Sequence, residues 1–268
     1  MDHAADQRDI QLLEQDRYTF SVLSRVLRGD CHCICTDHER FILCHTMQPY
    51  PVWLWTPDGI SEAEKERAWQ VAAETMPMAE GYRYNLKYEL AEFFLARAKE
   101  EGVQAHIATN MFAYDCPEAV APDIPADGSL HVCTMADAEE AAQLIFQFHD
   151  AVHADRMSLE NCRVLAQQRI EDNGFFFWKN AGGEAVACCS RTIHDGLGCV
   201  GGVYTKPEHR RKHYAQHLVY QVTCMVAQQG LMPMLYTDAD YAASNACYEK
   251  IGYVLRGKLC TIEARLGK

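Results

Sequence analysis

The spacing of apolar residues along the chain changes period several times, and each change marks an element. Over residues 9–27 apolar side chains stand at Leu12, Leu13, Tyr18, Phe20, Val22, Leu23, Val26 and Leu27, which predicts one helix stopped by Gly29. Residues 31–35 then alternate, 36–39 form a turn, and 40–46 and 50–56 read as further strands. Ser61 followed by Glu64 has the form of a capping box, predicting a helix to about Thr75 that Pro77 ends. A helix over 87–101, stopped by Gly102, and a strand over 104–114 follow. Residues 116–129, CPEAVAPDIPADGS, hold three prolines and no hydrophobic period, the composition of a linker.

Beyond that stretch the pattern predicts a strand at 129–135, a helix capped by Asp137 that runs to about His149, and a helix at 158–172. Three strands follow at 174–178, 185–193 and 199–205, joined by turns at 180–183 and 195–196. A helix at 211–229, a strand at 233–237, a short helix at 244–251 and a final strand from Tyr253 complete the chain. The order β-α-α-β-β-β-α-β-α-β describes a mixed α/β layer. With 268 residues, two units are expected, 1–118 and 129–268.

Charge narrows the function. Asp and Glu number 37 against 25 Lys and Arg, a formal net charge of −12. A surface of that sign opposes non-specific binding to nucleic acid or to anionic membranes, so neither partner is expected. No apolar run reaches the roughly 18 residues needed to span a bilayer. The polar, acidic start of the chain is unlike a signal peptide, and a cytoplasmic location is expected. The 13 cysteines, an odd count in a long chain, read as reduced thiols packed as small hydrophobes. Cys31, Cys33 and Cys35 lie two apart with no Cys-x-x-Cys anywhere. They predict one thiol-bearing strand face and no metal.

Two stretches carry candidate chemistry. In the first, a strand ending at Val203, Tyr204 and Thr205 meets Pro207, and a helix begins among Arg210, Arg211 and Lys212. The first turn of a helix leaves backbone N–H groups unpaired and partly positive. Cations there oppose the dipole unless an anion such as a phosphate or pyrophosphate is held between them. The residues are compatible with an anion cradle and with a basic helix start that binds nothing. In the second, Asn245 and Tyr248 stand three apart on the short helix and share a face. They can be a ligand-binding amide and a proton-donating phenol, or a cap and a half-buried core tyrosine.

Taken together, residues 200–253 resemble the GNAT superfamily of acetyl-CoA-dependent N-acetyltransferases. The family's phosphate loop, Gln/Arg-x-x-Gly-x-Gly/Ala, aligns with Arg210-Arg-Lys-His-Tyr-Ala215, preceded by GVYTKPEHR and followed by SNACYEKIGY. His213 stands where glycine is commoner. The resemblance implies a two-domain α/β protein: a C-terminal GNAT fold with a mixed sheet flanked by helices, and a degenerate GNAT-like α/β domain before it, as in tandem members. It implies acetyl-CoA as co-substrate, a small-molecule or peptide amine as acceptor, and no metal. The backbone of Val203, Tyr204 and Thr205 would pair with pantetheine. N–H groups of Arg211, Lys212, His213, Tyr214, Ala215 and Gln216 would hold the pyrophosphate, with Arg210 and Lys212 adding charge. Asn245 would order the cofactor, and Tyr248 would protonate the departing thiolate. Asp238 is the candidate base, beside His194, His153 and Glu184. Helical φ is expected at His213. A non-catalytic acyl-CoA-binding module and an aminoacyl-tRNA-dependent transferase are the alternatives.

Overall fold

In the computed structural model, which describes residues 1–29, 31–152 and 157–265, the single helix expected over 9–27 is broken in two. Helix α1 (Gln7–Leu13) starts from a capping box between Asp6 and Asp9, and α2 (Ser21–Leu27) follows a tight turn. Asp16 sits at the break. Its carboxylate accepts the Trp55 indole N–H at 2.8 Å and the Lys87 ammonium at 2.7 Å. Bending there lets Leu13, Phe20 and Leu23 all become fully buried, at 0–1% exposure.

The next elements are β1 (Cys33–Thr36), β2 (Ile42–His45), β3 (Val52–Trp55), α3 (Glu62–Thr75), β4 (Tyr84–Leu86), α4 (Tyr88–Glu100) and β5 (Ala105–Asp115). The box capping α3 is present, with Ser61 and Glu64 bonding each other's backbone N–H. The three-residue β4 is too short to leave a period in the sequence. After it come β6 (Ser129–Val132), α5 (Ala138–Ala151), α6 (Leu159–Glu171), β7 (Phe175–Lys179), β8 (Ala185–His194) and β9 (Leu197–Thr205). The chain closes with α7 (Tyr214–Gln228), β10 (Met232–Asp238), α8 (Ala242–Ile251) and β11 (Val254–Ala264).

Contacts divide the chain into two units. The first holds Met1–Ala113, Thr237–Tyr241 and the described residues from Arg256 on; the second holds Tyr114–Tyr236 and Ala242–Leu255. In the first, strands run in the order β1-β2-β3-β4-β11-β5. The last strand, expected within residues 129–268, ladders antiparallel with β4 through Cys260↔Leu86 and Ile262↔Tyr84. Cys260 and Ile262 are fully buried there with Leu43, Leu54 and Phe94. That apolar face is what draws the strand in.

In the second unit the order is β10-β9-β8-β7-β6, with β10 parallel to β9 and the other pairs antiparallel. Helices α5 and α6 cover one face, where Leu144, Ile145, Ile170, Phe175 and Phe177 form a core. On α7 the buried residues Leu218, Val219, Val222 and Val226 make one stripe. The proline-bearing stretch expected to be a linker belongs to this unit. The Cys116 N–H bonds Pro233 O at 2.9 Å, and the Val120 N–H bonds Ile251 O at 2.7 Å.

Cys31 does not share a face with Cys33 and Cys35, because the strand begins at Cys33. Its thiol bonds Val26 O, and the Cys44 thiol lies 3.3 Å from it. Among the described residues, the groups close enough to share a metal ion are Asp6–Asp9–His38 and Glu184–Glu208–His209, neither containing a cysteine. No described helix is long and apolar enough to cross a membrane.

His38 fastens the start of the chain. Its Nδ1 lies 2.8 Å from the buried Asp9 carboxylate and its Nε2 3.1 Å from that of Asp2, with Asp6 3.7 Å from Nδ1. Two carboxylates on the two ring nitrogens favour the doubly protonated ring. The hydrogen bond with Asp2, then that with Asp9, raises the His38 pKa against the opposing effect of desolvation. A raised folded pKa gives stability that is complete below the unfolded value, about 6.5, and lost as pH rises through the folded one. The difference in melting temperature between wild type and His38→Gln is therefore largest in mild acid and shrinks above neutrality. Thermal melts across that range check it.

Candidate functional site

Strand β9 is built to part from its neighbour. Its parallel ladder with β10 runs from Leu197↔Met232 to Val200↔Leu235, yet β9 continues to Thr205. On its other edge β9 pairs with β8 through Ser190↔Gly201 and Cys188↔Tyr204. One residue of β8 thus faces two of β9, Gly202 and Val203, which is a β-bulge. Gly202 has φ +59. A Cβ there would meet nothing closer than Ser190 Oγ at 3.6 Å, so it is the left-handed backbone rather than lack of space that selects glycine. The bulge twists the end of β9 just where β10 leaves it. Among the described residues no strand ladders with 201–205 on the β10 side, so the main-chain groups that alternate residues turn to that side form a short open edge, at whose end the Thr205 carbonyl accepts from Arg210. The Tyr204 side chain turns the other way, into the α5–α6 core.

The turn after β9 leads into α7. Residues 207–209 form one 3-10 turn, and the α-helix starts at Tyr214 rather than at Arg211. No side chain caps it. Arg211 has φ +63 and His213 φ +62, so the helical φ expected at His213 is not found. The commoner glycine is a response to that backbone, and the histidine costs about 1–2 kcal/mol there. Positive φ also turns successive N–H groups inward, the form of an anion-binding nest. His213 Nδ1 lies 3.3 Å from Gln216 Oε1, folding the ring over the first helical turn. Arg210 bends back and donates from Nε to Thr205 O at 3.2 Å, closing the turn onto the strand. Arg211 and Lys212 are exposed. On its flank Glu184 holds Lys206 at 3.0 Å and His209 at 3.3 Å.

The uncapped N-terminus, the open edge of β9 and the cations at the turn thus lie within one run of chain. The donor set fits an elongated ligand with amide groups at one end and phosphate at the other.

Helix α8 carries the other pair. Asn245 and Tyr248 are 8% and 7% exposed, on one buried face. The Tyr248 ring meets Tyr253 edge-on at 6.0 Å between centroids. Burial pushes the neighbouring Cys247 thiol up to about 11, so it stays protonated at neutral pH and is a poor nucleophile.

Of the candidate bases, Asp238 ends β10 and falls in the first unit, exposed, its carboxylate accepting the Asp240 N–H at 2.9 Å. Glu184 is an exposed partner of Lys206, which holds its carboxyl below the usual range. His194 lies at the end of β8, 3.8 Å from the Cys199 thiol. His153 lies outside the described residues.

Sequence reasoning missed Asp127. Its side chain accepts the Tyr214 hydroxyl at 2.6 Å and the Ala181 N–H at 2.9 Å, and its carbonyl accepts the Trp178 indole at 2.8 Å. The proline-rich composition around it read as linker, and no local motif marks it.

Comparison with known proteins bears on the fold. Residues 177–262 match the family model of FR47-like proteins. A GCN5-related N-acetyltransferase from Sphaerobacter thermophilus superposes with a TM-score of 0.67 at 13% identity, over 98% of this chain and 94% of that one. The chain has the GNAT acetyltransferase fold. A GCN5-related N-acetyltransferase from Kribbella flavida gives 0.61 at 20% identity, over 94% of this chain and 95% of that one. A tandem GNAT protein of the clavulanic acid biosynthesis pathway gives 0.55 at 12% identity, over 99% and 98%. The GNAT likeness therefore runs through both units. No curated protein matches the sequence.

Because His213 is in the left-handed region, His213→Gly is expected to stabilise the protein by about 1 kcal/mol. That corresponds to a melting temperature about 2–4 °C higher, read by calorimetry. A lower value means that the contact with Gln216 outweighs the backbone strain.

Proposed function

We propose that the protein is an N-acetyltransferase that moves an acetyl group from acetyl-CoA to an amine on a small molecule or peptide. The observation that carries this reading is the open edge of β9 running into an uncapped, cation-flanked helix N-terminus. Acetyl-CoA supplies the activated thioester. Along Val203, Tyr204 and Thr205, the main-chain groups that face away from β8 bond the pantetheine amides as a peptide adds to a sheet edge. N–H groups from Arg211 to Gln216 hold the pyrophosphate, and Lys212 adds charge. Arg210, tied to Thr205 O, chiefly keeps strand and turn together. Asn245 orders the cofactor on the α8 side.

Direct attack needs a neutral amine and returns a proton to the thiolate that leaves. We assign Tyr248 to deliver that proton and Asp238, directly or through water, to take the one from the amine. Desolvation of the face that bears Asn245 and Tyr248 strengthens a hydrogen bond made there. The net charge of −12 is compatible with a cationic acceptor and disfavours an aminoacyl-tRNA donor, which would need a basic surface.

Two measurements test the reading. Calorimetric titration with acetyl-CoA is expected to give saturable binding, and none at high micromolar concentration would sink it. Thiol release with a panel of polyamines, amino acids, aminoglycosides and peptides then separates an enzyme from a silent binding module. Tyr248→Phe keeps the ring against Tyr253 and removes only the hydroxyl. It is expected to lower turnover at saturating acetyl-CoA about 10²-fold. Unchanged turnover would remove Tyr248 as the acid.

A further inference from the structure

The stretch before β6 is bound to the phosphate turn rather than merely crossing the unit. Asp127 is its hub. Through one carboxylate oxygen it receives the hydroxyl of Tyr214, the first residue of α7, at 2.6 Å. Through the other it receives the Ala181 N–H of the β7–β8 turn at 2.9 Å. Its carbonyl takes the Trp178 indole N–H at 2.8 Å. One turn along α7, His217 Nε2 donates to Ile124 O at 2.8 Å, so two residues of the helix's first turns grip the stretch.

The next residue shows how closely the chain is seated. Gly128 has φ +90, and a Cβ on it would stand 2.0 Å from Lys179 O and 2.7 Å from Asn180 Cα. Tyr214 is itself only 4% exposed, and its hydroxyl reaches out to Asp127, which is exposed. The Tyr214 bond, then the Ala181 N–H, hold the Asp127 carboxyl below its usual range, with a smaller contribution from Lys212. The carboxylate is ionised at neutral pH and makes a charge-assisted bond.

We propose that residues 120–128 are a positioning strap for the phosphate turn, in which Asp127, through Tyr214, holds the first turn of α7 ready to bind the coenzyme A pyrophosphate. The inference rests on the acyl-CoA reading above. Asp127 touches no phosphate in this account. It acts by holding N–H groups in place before the ligand arrives, so that less ordering is needed on binding. Two strained residues, Arg211 and His213, precede that turn, which makes an outside brace necessary.

The test is calorimetric titration of coenzyme A into wild type, Asp127→Ala, Asp127→Asn, Tyr214→Phe and the Asp127→Ala/Tyr214→Phe double variant, with a melting temperature for each. Asp127→Ala and Tyr214→Phe are each expected to raise the dissociation constant about tenfold. The double variant is expected to match the worse single one, because both remove the same bond. Asp127→Asn keeps an oxygen for the tyrosine and should recover most of the affinity. Tyr214→Phe loses only a hydroxyl, and it carries the test if Asp127→Ala does not fold. Wild-type affinity in the variants, even at lower melting temperature, would overturn the strap, and so would additive losses in the double variant. Absence of binding to wild type would instead overturn the acyl-CoA reading.

Discussion

Everything proposed for this chain depends on one failure of pairing. A strand inside a sheet normally spends its main-chain groups on two neighbours. Among the described residues, strand β9 has a strand on both sides only as far as Val200, and from Gly201 to Thr205 none pairs with it on the β10 side. The bulge at Gly202 and Val203 makes this possible by adding a residue to β9 opposite β8 and increasing its twist. An open edge inside a sheet is a polar surface that asks for a strand-like partner. The turn and helix that follow present unpaired N–H groups and cations as its continuation. Edge and turn are contiguous in the chain, so one ligand can use both.

The turn is held in an unfavourable backbone form, and the molecule supports it from two sides. Glu184 fixes Lys206 and His209 at its entry, and Asp127 fixes Tyr214 at its exit. These anchors lie outside the loop, so the loop's own residues stay available to a ligand. The arrangement also explains why a histidine is tolerated where the backbone favours glycine: the cost of a positive φ is local, whereas the anchors are not.

Much of this was legible beforehand. Ser61 and Glu64 announced α3, Gly102 closed α4, and the strand periods of the second unit located its sheet. Arg210 to Ala215 and the Asn245–Tyr248 spacing pointed to the GNAT fold. What stayed hidden has physical causes. Helical period cannot reveal the break at Asp16, because the interaction that bends the chain comes from Trp55 and Lys87, distant in sequence. Positive φ at His213 was masked by a residue that does not advertise it. Prolines in residues 116–129 read as a linker because proline signals lack of regular structure, and a strap pinned by side chains also lacks it. The pairing of β11 with β4 is a choice between two sheets that alternation alone cannot make.

The central claim is that the open edge of β9 is where the cofactor's amide groups bind. Hydrogen–deuterium exchange of the amides from Gly201 to Thr205, with and without saturating coenzyme A, reads it directly. The account predicts marked slowing of exchange in these residues together with those of the first turn of α7. Binding that protects the turn but leaves residues 201–205 exchanging as in the free protein would contradict it.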